Sequence, residues 1–426
     1  MSKNQYYEEG IQALRKGDLD LAEQCLQKAI RYFPEDIYAY NKLAFVYNEK
    51  SHFDAAVQVL QQALKIRPND LFSHYILGNT YLDQGDFSKA IAEFKKAVAI
   101  DEKDVYSWNS LALAYKLSSE FDLALESLDK AIFIDKDDIY NYNSKAIILF
   151  QQGNLEDAKF VIEQAMEIEP NNHLLLVNLG EIYLREGDVK TAKATFGKLI
   201  SLAPESSVGY YSMGNLELEE DRLDQALSYF RKAEQLDSKN WKIKAAIASI
   251  MQESGDSDIA LAMYEAAQIL EPNNAGLLTD LALCQKRKGL ILKAWMNLKR
   301  AVENEPKYAY AHYSLGRLLA EQEMYEDSEA SFLRAIELDS DDIYAYNGLG
   351  DVYRLQDKYR EAIREYDRSL KLYQADSHAL FHKALCHNAL EEGHLAHKAL
   401  DRLLDFEDQD FWIDKAEALK KSIRNA

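Results

Sequence analysis

All six prolines of this chain fall at residue numbers divisible by 34: Pro34, Pro68, Pro170, Pro204, Pro272 and Pro306. Unrelated loops would scatter them. A constant spacing of 34 residues means one supersecondary unit copied in tandem, the sequence mark of a repeat architecture. A chain built this way has an extended surface and little length left for anything else.

Placing Pro34 at position 32 of a repeat starts the frame at Lys3, and twelve repeats then run to Asp410 without insertion or deletion. Position 8 is always Gly or Ala, from Gly10 to Ala384, and position 20 is Ala in all repeats but one, where Ser328 stands. Small residues at helical spacing let two helix axes approach to the lower end of about 8–10 Å. Larger apolar residues recur at positions 4, 7, 11 and 24, and these spacings are helical rather than strand-like. Gly recurs at position 15 (Gly17, Gly85, Gly153, Gly187, Gly255, Gly289), which predicts a turn between a helix A and a helix B. Position 34 is Asp, Asn or Ser except at Tyr308. These are N-cap residues for the next helix A, and the proline two residues earlier stops helix B.

This pattern resembles the tetratricopeptide repeat family, over residues 3–410. The resemblance implies an all-α, right-handed superhelical solenoid of about twelve helix-turn-helix repeats, helix A lining a concave groove and helix B the outer wall. Residues 3–410 are expected to form one elongated domain. Residues 411–426 read as a C-terminal capping helix, with Phe411, Trp412, Ile413 and Leu419 beside Lys415, Lys420, Lys421 and Arg424. Repeat arrays need such polar-backed ends for solubility.

The formal net charge of −21 argues against nucleic acid as a ligand, because phosphate neutralisation needs a basic surface. Charge is uneven: residues 309–342 carry nine acids against two bases, and residues 275–308 carry seven bases against three acids. Such runs read first as solvated helix surface, and otherwise as a dock for an acidic segment. No apolar leader opens the chain, and no stretch approaches the roughly 20 apolar residues of a membrane span. Cys25, Cys284 and Cys386 are an odd, widely spaced set, as expected for reduced thiols in a cytoplasmic protein.

Stacking does not account for everything on helix A. Positions 2, 5, 9 and 12 form a second helical face, which the resemblance places in the groove. Position 2 carries Tyr38, Phe72, Tyr106, Tyr140, Tyr310 and Tyr344, and position 5 carries Tyr7, Tyr75, Tyr211 and Tyr313. Tyrosine brings large rigid area and a hydroxyl at low entropy cost, which suits protein recognition. Asn41, Asn109, Asn143 and Asn347 occupy position 5, and Asn79 position 9. An amide presents donor and acceptor together and can pair with an extended peptide backbone. The expectation is therefore a non-catalytic scaffold that binds a protein or peptide segment in the groove. Its N-terminal station is Tyr38, Asn41, Tyr75, Asn79, Tyr106, Asn109, Tyr140 and Asn143. Its C-terminal station is Tyr310, Tyr313, Tyr344 and Asn347. Packing against the neighbouring repeat is the competing reading of each of these side chains.

Two further classes stay open: a regulatory subunit or small-ligand sensor, and a self-assembling array, since no capping segment precedes Lys3. Family members that clamp a terminal carboxylate use Lys at position 5, and none occurs here. Those with an asparagine ladder carry it at position 6, about 100° round the helix. No cofactor is expected, and no phosphate loop or nucleophile constellation stands out. His378, His382 and Cys386 follow i, i+4, i+8 spacing, a pattern that aligns ligands for a metal. Ordinary packing is the favoured reading there, so no metal site is expected.

Overall fold

A computed structural model describes residues 5–406 and 410–424, the side chains of Asp410 and Arg424 excepted. The start of the frame at Lys3, and the side chain of Asp410 with the cap expected of it, thus lie outside what is described. The described residues form 25 helices and no strand. Twelve consecutive pairs follow the 34-residue frame, and the last helix, Asp410–Arg424, follows the twelfth pair. From the second repeat on, helix A begins at position 1, as in Ile37–Glu49, Leu71–Asp83 and Val105–Leu117. Helix B spans 14 residues, as in Phe53–Ile66 and Phe87–Ile100. The chain divides into two compact bodies, Met1–Pro204 and Glu205–Ala426, at the turn between the sixth and seventh repeats.

Inside each pair the two helices meet at positions 8 and 24. The position 24 side chains, Leu26, Leu60, Phe94, Leu128, Ile162, Phe196, Phe230, Tyr264, Leu298, Phe332, Tyr366 and Leu400, are none of them more than 3% exposed. They pair with position 8 by size. Gly78, Gly180, Gly214, Gly316 and Gly350 face an aromatic ring, whereas Ala44, Ala112, Ala146, Ala282 and Ala384 share a repeat with Leu or Ile. Gly10 with Leu26 and Ala248 with Tyr264 depart from this pairing. A Cβ on Gly180 would lie 2.2 Å from the Phe196 ring, and one on Gly214 would lie 2.6 Å from that of Phe230. Glycine is needed because the ring rests on the backbone of helix A. Each ring removed from water contributes about 1.5–3 kcal/mol.

The turn from A to B is the same in every repeat. The amide at position 16 donates to the carbonyl at position 11 at 2.8–3.0 Å, as in His52 N to Tyr47 O and Arg222 N to Glu217 O. This is the six-to-one bond of a Schellman ending, which requires a left-handed residue between. Position 15 supplies it throughout. All six of its glycines have φ of +73 to +87°, and Ser51, Ser119, Asp221, Glu323, Asp357 and Glu391 adopt φ of +57 to +64° without being glycine. The expected N-caps also form: Asp36, Asp70, Asp104, Asp138, Asn172, Ser206, Asn240, Asn274, Asp342 and Asp376 accept from backbone amides of the next helix A, and Tyr308 does not.

Within each body helix B packs on the helix A that follows, and several successive A helices also touch each other. The core therefore passes from repeat to repeat, as in the cluster from Ala44 to Ile148. At the C-terminal end Ala416 is buried, and Trp412, Leu419 and Ile423 pack on the twelfth repeat. Phe411 stays exposed, with Lys415 Nζ 4.2 Å from its ring centre.

Gly180→Ala should lower stability by about 1–3 kcal/mol through overpacking, read as the denaturant midpoint. Gly180→Ala with Phe196→Leu should recover most of the loss, since that pair of side chains is native to other repeats. At the turn, Glu323→Gly should raise stability by about 0.5–1 kcal/mol by removing the left-handed Cβ contact. Gly187→Ala should lower it by a similar amount in the same thermal melts.

Candidate functional site

The cap and the seam between repeats decide what helix A can offer a partner. Position 5 faces the next repeat. Asn41, 6% exposed, donates from Nδ2 to Oδ2 of the cap Asp70 at 3.2 Å, and its Oδ1 lies 2.8 Å from the Ser73 hydroxyl. The same bridge recurs between Asn347 Nδ2 and Oδ2 of the cap Asp376 at 2.6 Å, where Ser369 also donates at 2.6 Å. Asn143 is buried and accepts from Asn178 of the next repeat. The expected peptide ladder of asparagines is therefore corrected at Asn41, Asn143 and Asn347. Their amides join neighbouring repeats, because position 5 lies on the buried side of helix A beside position 8.

The position 5 tyrosines are likewise half-buried. Tyr75, Tyr211 and Tyr313 lie 6.1, 5.7 and 6.0 Å, centre to centre, from Phe94, Phe230 and Phe332 of their own repeats. Phe or Tyr at position 24 with Gly at position 8 leaves room for such a ring, so these tyrosines are first of all packing residues. Asn79 is half-buried on its helix.

Position 2 is different. Tyr38, Phe72, Tyr106 and Tyr140 are 59, 63, 73 and 66% exposed, and Leu174 extends the row into the sixth repeat. Phe45 and Leu113, at position 9, are also exposed. The open face of helix A thus follows positions 2 and 9. The expected face of 2, 5, 9 and 12 is split, with 5 turned inward. Between the fourth and fifth repeats a cleft of about 300 Å³ is lined by Asn109, Leu113, Lys116, Tyr140, Asn141 and Ser144 among others. Asn109 Oδ1 and Asn141 Nδ2 are buried beside it without hydrogen-bond partners. Among the position 5 asparagines, the acceptor of Asn347 is likewise unused, although its amide donates to Asp376. Asn141, at position 3, was not expected from the sequence.

In the second body, Tyr310 and Tyr344 are exposed, and Tyr310 stacks on Tyr313 at 6.1 Å. Arg317 sits over Tyr313, 5.6 Å from its ring centre. A cleft of about 620 Å³ gathers Tyr313, Arg317, Tyr344, Asn347, Asp351, His378 and Trp412. Asp351 at its floor lies between two histidines: His378 Nε2 is 3.2 Å from Oδ2, and His382 Nδ1 is 3.8 Å from Oδ1. Burial pushes the Asp351 carboxyl up, but the hydrogen bond and charge of His378, aided by His382 and Tyr366, hold it below the usual range. Burial pushes His382 down to about 4 and the Cys386 thiol up to about 12. The spacing of His378, His382 and Cys386 is thus corrected by the fold. Cys386 is fully buried on another side of the helix, and Asp351 of the preceding repeat takes its place. A contact across 27 positions of sequence leaves no local pattern to read.

Profiles described as TPR repeat match residues 46–85 and 78–119, and profiles described as tetratricopeptide repeat match 149–213, 209–240, 297–343 and 347–411. The chain belongs to the tetratricopeptide repeat family. The matched profiles are those of a repeat fold and indicate no catalytic family. No curated protein matches the chain in sequence. Among solved structures, a chain of the APC/C hetero-tetramer Cut9-Hcn1 matches at 15% identity and TM-score 0.53, over 98% of this chain and 96% of that one. A tetratricopeptide repeat protein of Parabacteroides merdae matches at 18% identity and TM-score 0.48, over 58% of this chain and 98% of that one. The first of these supports the tetratricopeptide repeat fold and nothing finer. No helix among the described residues is long and apolar enough to cross a membrane.

Asn347→Ala should cost about 1–3 kcal/mol, because the buried Asp376 carboxylate loses a donor. Asn109→Ala should cost less than about 1 kcal/mol, its oxygen having no partner to lose. Denaturant midpoints of the two variants test this order.

Proposed function

We propose that this tetratricopeptide repeat protein is a non-catalytic scaffold that binds an extended segment of a protein partner along helix A of repeats two to five. The observation that carries this reading is the unbroken exposed row Tyr38, Phe72, Tyr106 and Tyr140. Aromatic rings aligned over four repeats are a poor solvated surface and a good contact surface. Successive helices lie about 8–10 Å apart, so roughly every third residue of an extended chain, rising about 3.3 Å each, meets one ring. Tyr310 and Tyr344 with the cleft below them form a second contact region. The net charge of −21 sets the scaffold against nucleic-acid ligands.

The test is peptide display on the intact protein, followed by affinity measurements on selected peptides. Tyr38, Phe72, Tyr106 and Tyr140 all changed to Ser should weaken binding by at least about 10-fold, since each buried aromatic contributes about 1 kcal/mol or more. Phe133→Ser with Phe160→Ser, exposed on helix B, should leave affinity unchanged. Equal losses in both variants, or none in the first, would overturn the reading.

A further inference from the structure

Beneath the aromatic rim of the second body is a group of side chains that partner binding does not require. Asp351 comes from helix A of the eleventh repeat (Ile343–Leu355), and His378 and His382 lie one turn apart on helix A of the twelfth (Ser377–Ala389). One ligand atom from each lies within 4.8 Å of the other two. The two imidazole centres are 4.3 Å apart. We propose that Asp351, His378 and His382 form a binding site for a divalent first-row transition cation, with Zn²⁺ as its reference ion.

Three features of the geometry support a cation here over a plain ion pair. First, the chemistry of the donors is right: two imidazoles and one carboxylate suit Zn²⁺ and its neighbours and leave further positions open. Bonds of about 2.0–2.2 Å put tetrahedral ligand atoms about 3.3–3.5 Å apart, and the 3.2 Å between His378 Nε2 and Asp351 Oδ2 is already close to that edge. Second, one His–Asp bond does not satisfy the group. Nδ1 of both histidines is buried without a hydrogen-bond partner, and that of His382 lies 3.8 Å from the carboxylate with nothing bonding them. A cation held by His378 Nε2, the Asp351 carboxylate and His382 Nδ1 gives the His382 nitrogen its partner. Third, Asp351 is oriented from behind. The Tyr366 hydroxyl donates to Oδ1 at 2.8 Å, and Arg354 Nη2 approaches the same oxygen at 3.4 Å. The positive charge of Arg354 opposes a cation, but both contacts fall on Oδ1 and leave Oδ2 toward His378. Outer contacts of this kind fix the ligand and tune affinity.

The site opens on the cleft lined by Asp351, His378 and Trp412. The Trp412 ring lies 6.1 Å from His378, edge to face, close enough for a paramagnetic ion at the site to quench its fluorescence.

The experiment titrates the untagged full chain with ZnCl₂ by calorimetry and with CoCl₂ by visible absorption and tryptophan emission. The expected result is one equivalent of Zn²⁺, a visible Co²⁺ band, and quenching that Trp412→Phe removes. His378→Gln, His382→Gln and Asp351→Asn should each abolish the one-equivalent binding. Tyr366→Phe should weaken it by about 10-fold as an orienting residue. His394→Gln with His397→Gln, on the neighbouring helix, should leave it unchanged. Absence of saturable one-equivalent binding in the unaltered chain would overturn the proposal, as would unchanged binding in the His378 and His382 variants. If those variants fold poorly by circular dichroism, the Co²⁺ band and the Trp412-dependent quenching decide, and lack of both overturns it.

Discussion

The contact on which the whole chain depends is the approach of position 24 of helix B to the backbone of helix A at position 8. Every repeat buries this side chain almost completely. The distance between the two helices is set by the volume in that gap. Gly with a ring and Ala with Leu or Ile are two fillings of the same space, so twelve repeats of varied sequence keep one geometry. Close packing of this kind tolerates compensated changes of size and penalises uncompensated ones.

Repeats are then joined by a second set of contacts, and here polar groups matter. Each cap side chain holds the first amides of its own helix A. In the second and eleventh repeats an asparagine from position 5 reaches forward to the cap of the following repeat. A buried carboxylate is costly unless its hydrogen bonds are complete, so the two interactions depend on each other. The residue types best suited to gripping a peptide are used here to hold one repeat in register with the next.

With position 5 committed to the seam, position 2 becomes the free edge of helix A. Position 2 lies only about 60° round the helix from position 5, but in the first turn, at the margin of the seam, where Tyr38, Phe72, Tyr106 and Tyr140 stay exposed. Tyr75, Tyr211 and Tyr313 have the same chemistry as the position 2 tyrosines, yet they pack on Phe94, Phe230 and Phe332. Residue type alone does not separate recognition from packing. The neighbour across the gap does.

The sequence by itself determined the period, the helix pairs, their caps and the turn at position 15, because each is a local or strictly periodic consequence of residue type. Pro34, Gly17 and Asp36 act on backbone within a few residues of themselves. The aromatic row at position 2 was legible for the same reason. Only the tertiary structure decided the roles of Asn41, Asn143 and Asn347 and the exchange of Cys386 for Asp351 beside His378 and His382. Those depend on which side of a helix meets the next repeat, and on contacts between side chains about 30 positions apart in sequence. No short pattern encodes such contacts, because stacking brings them together only after each repeat has formed.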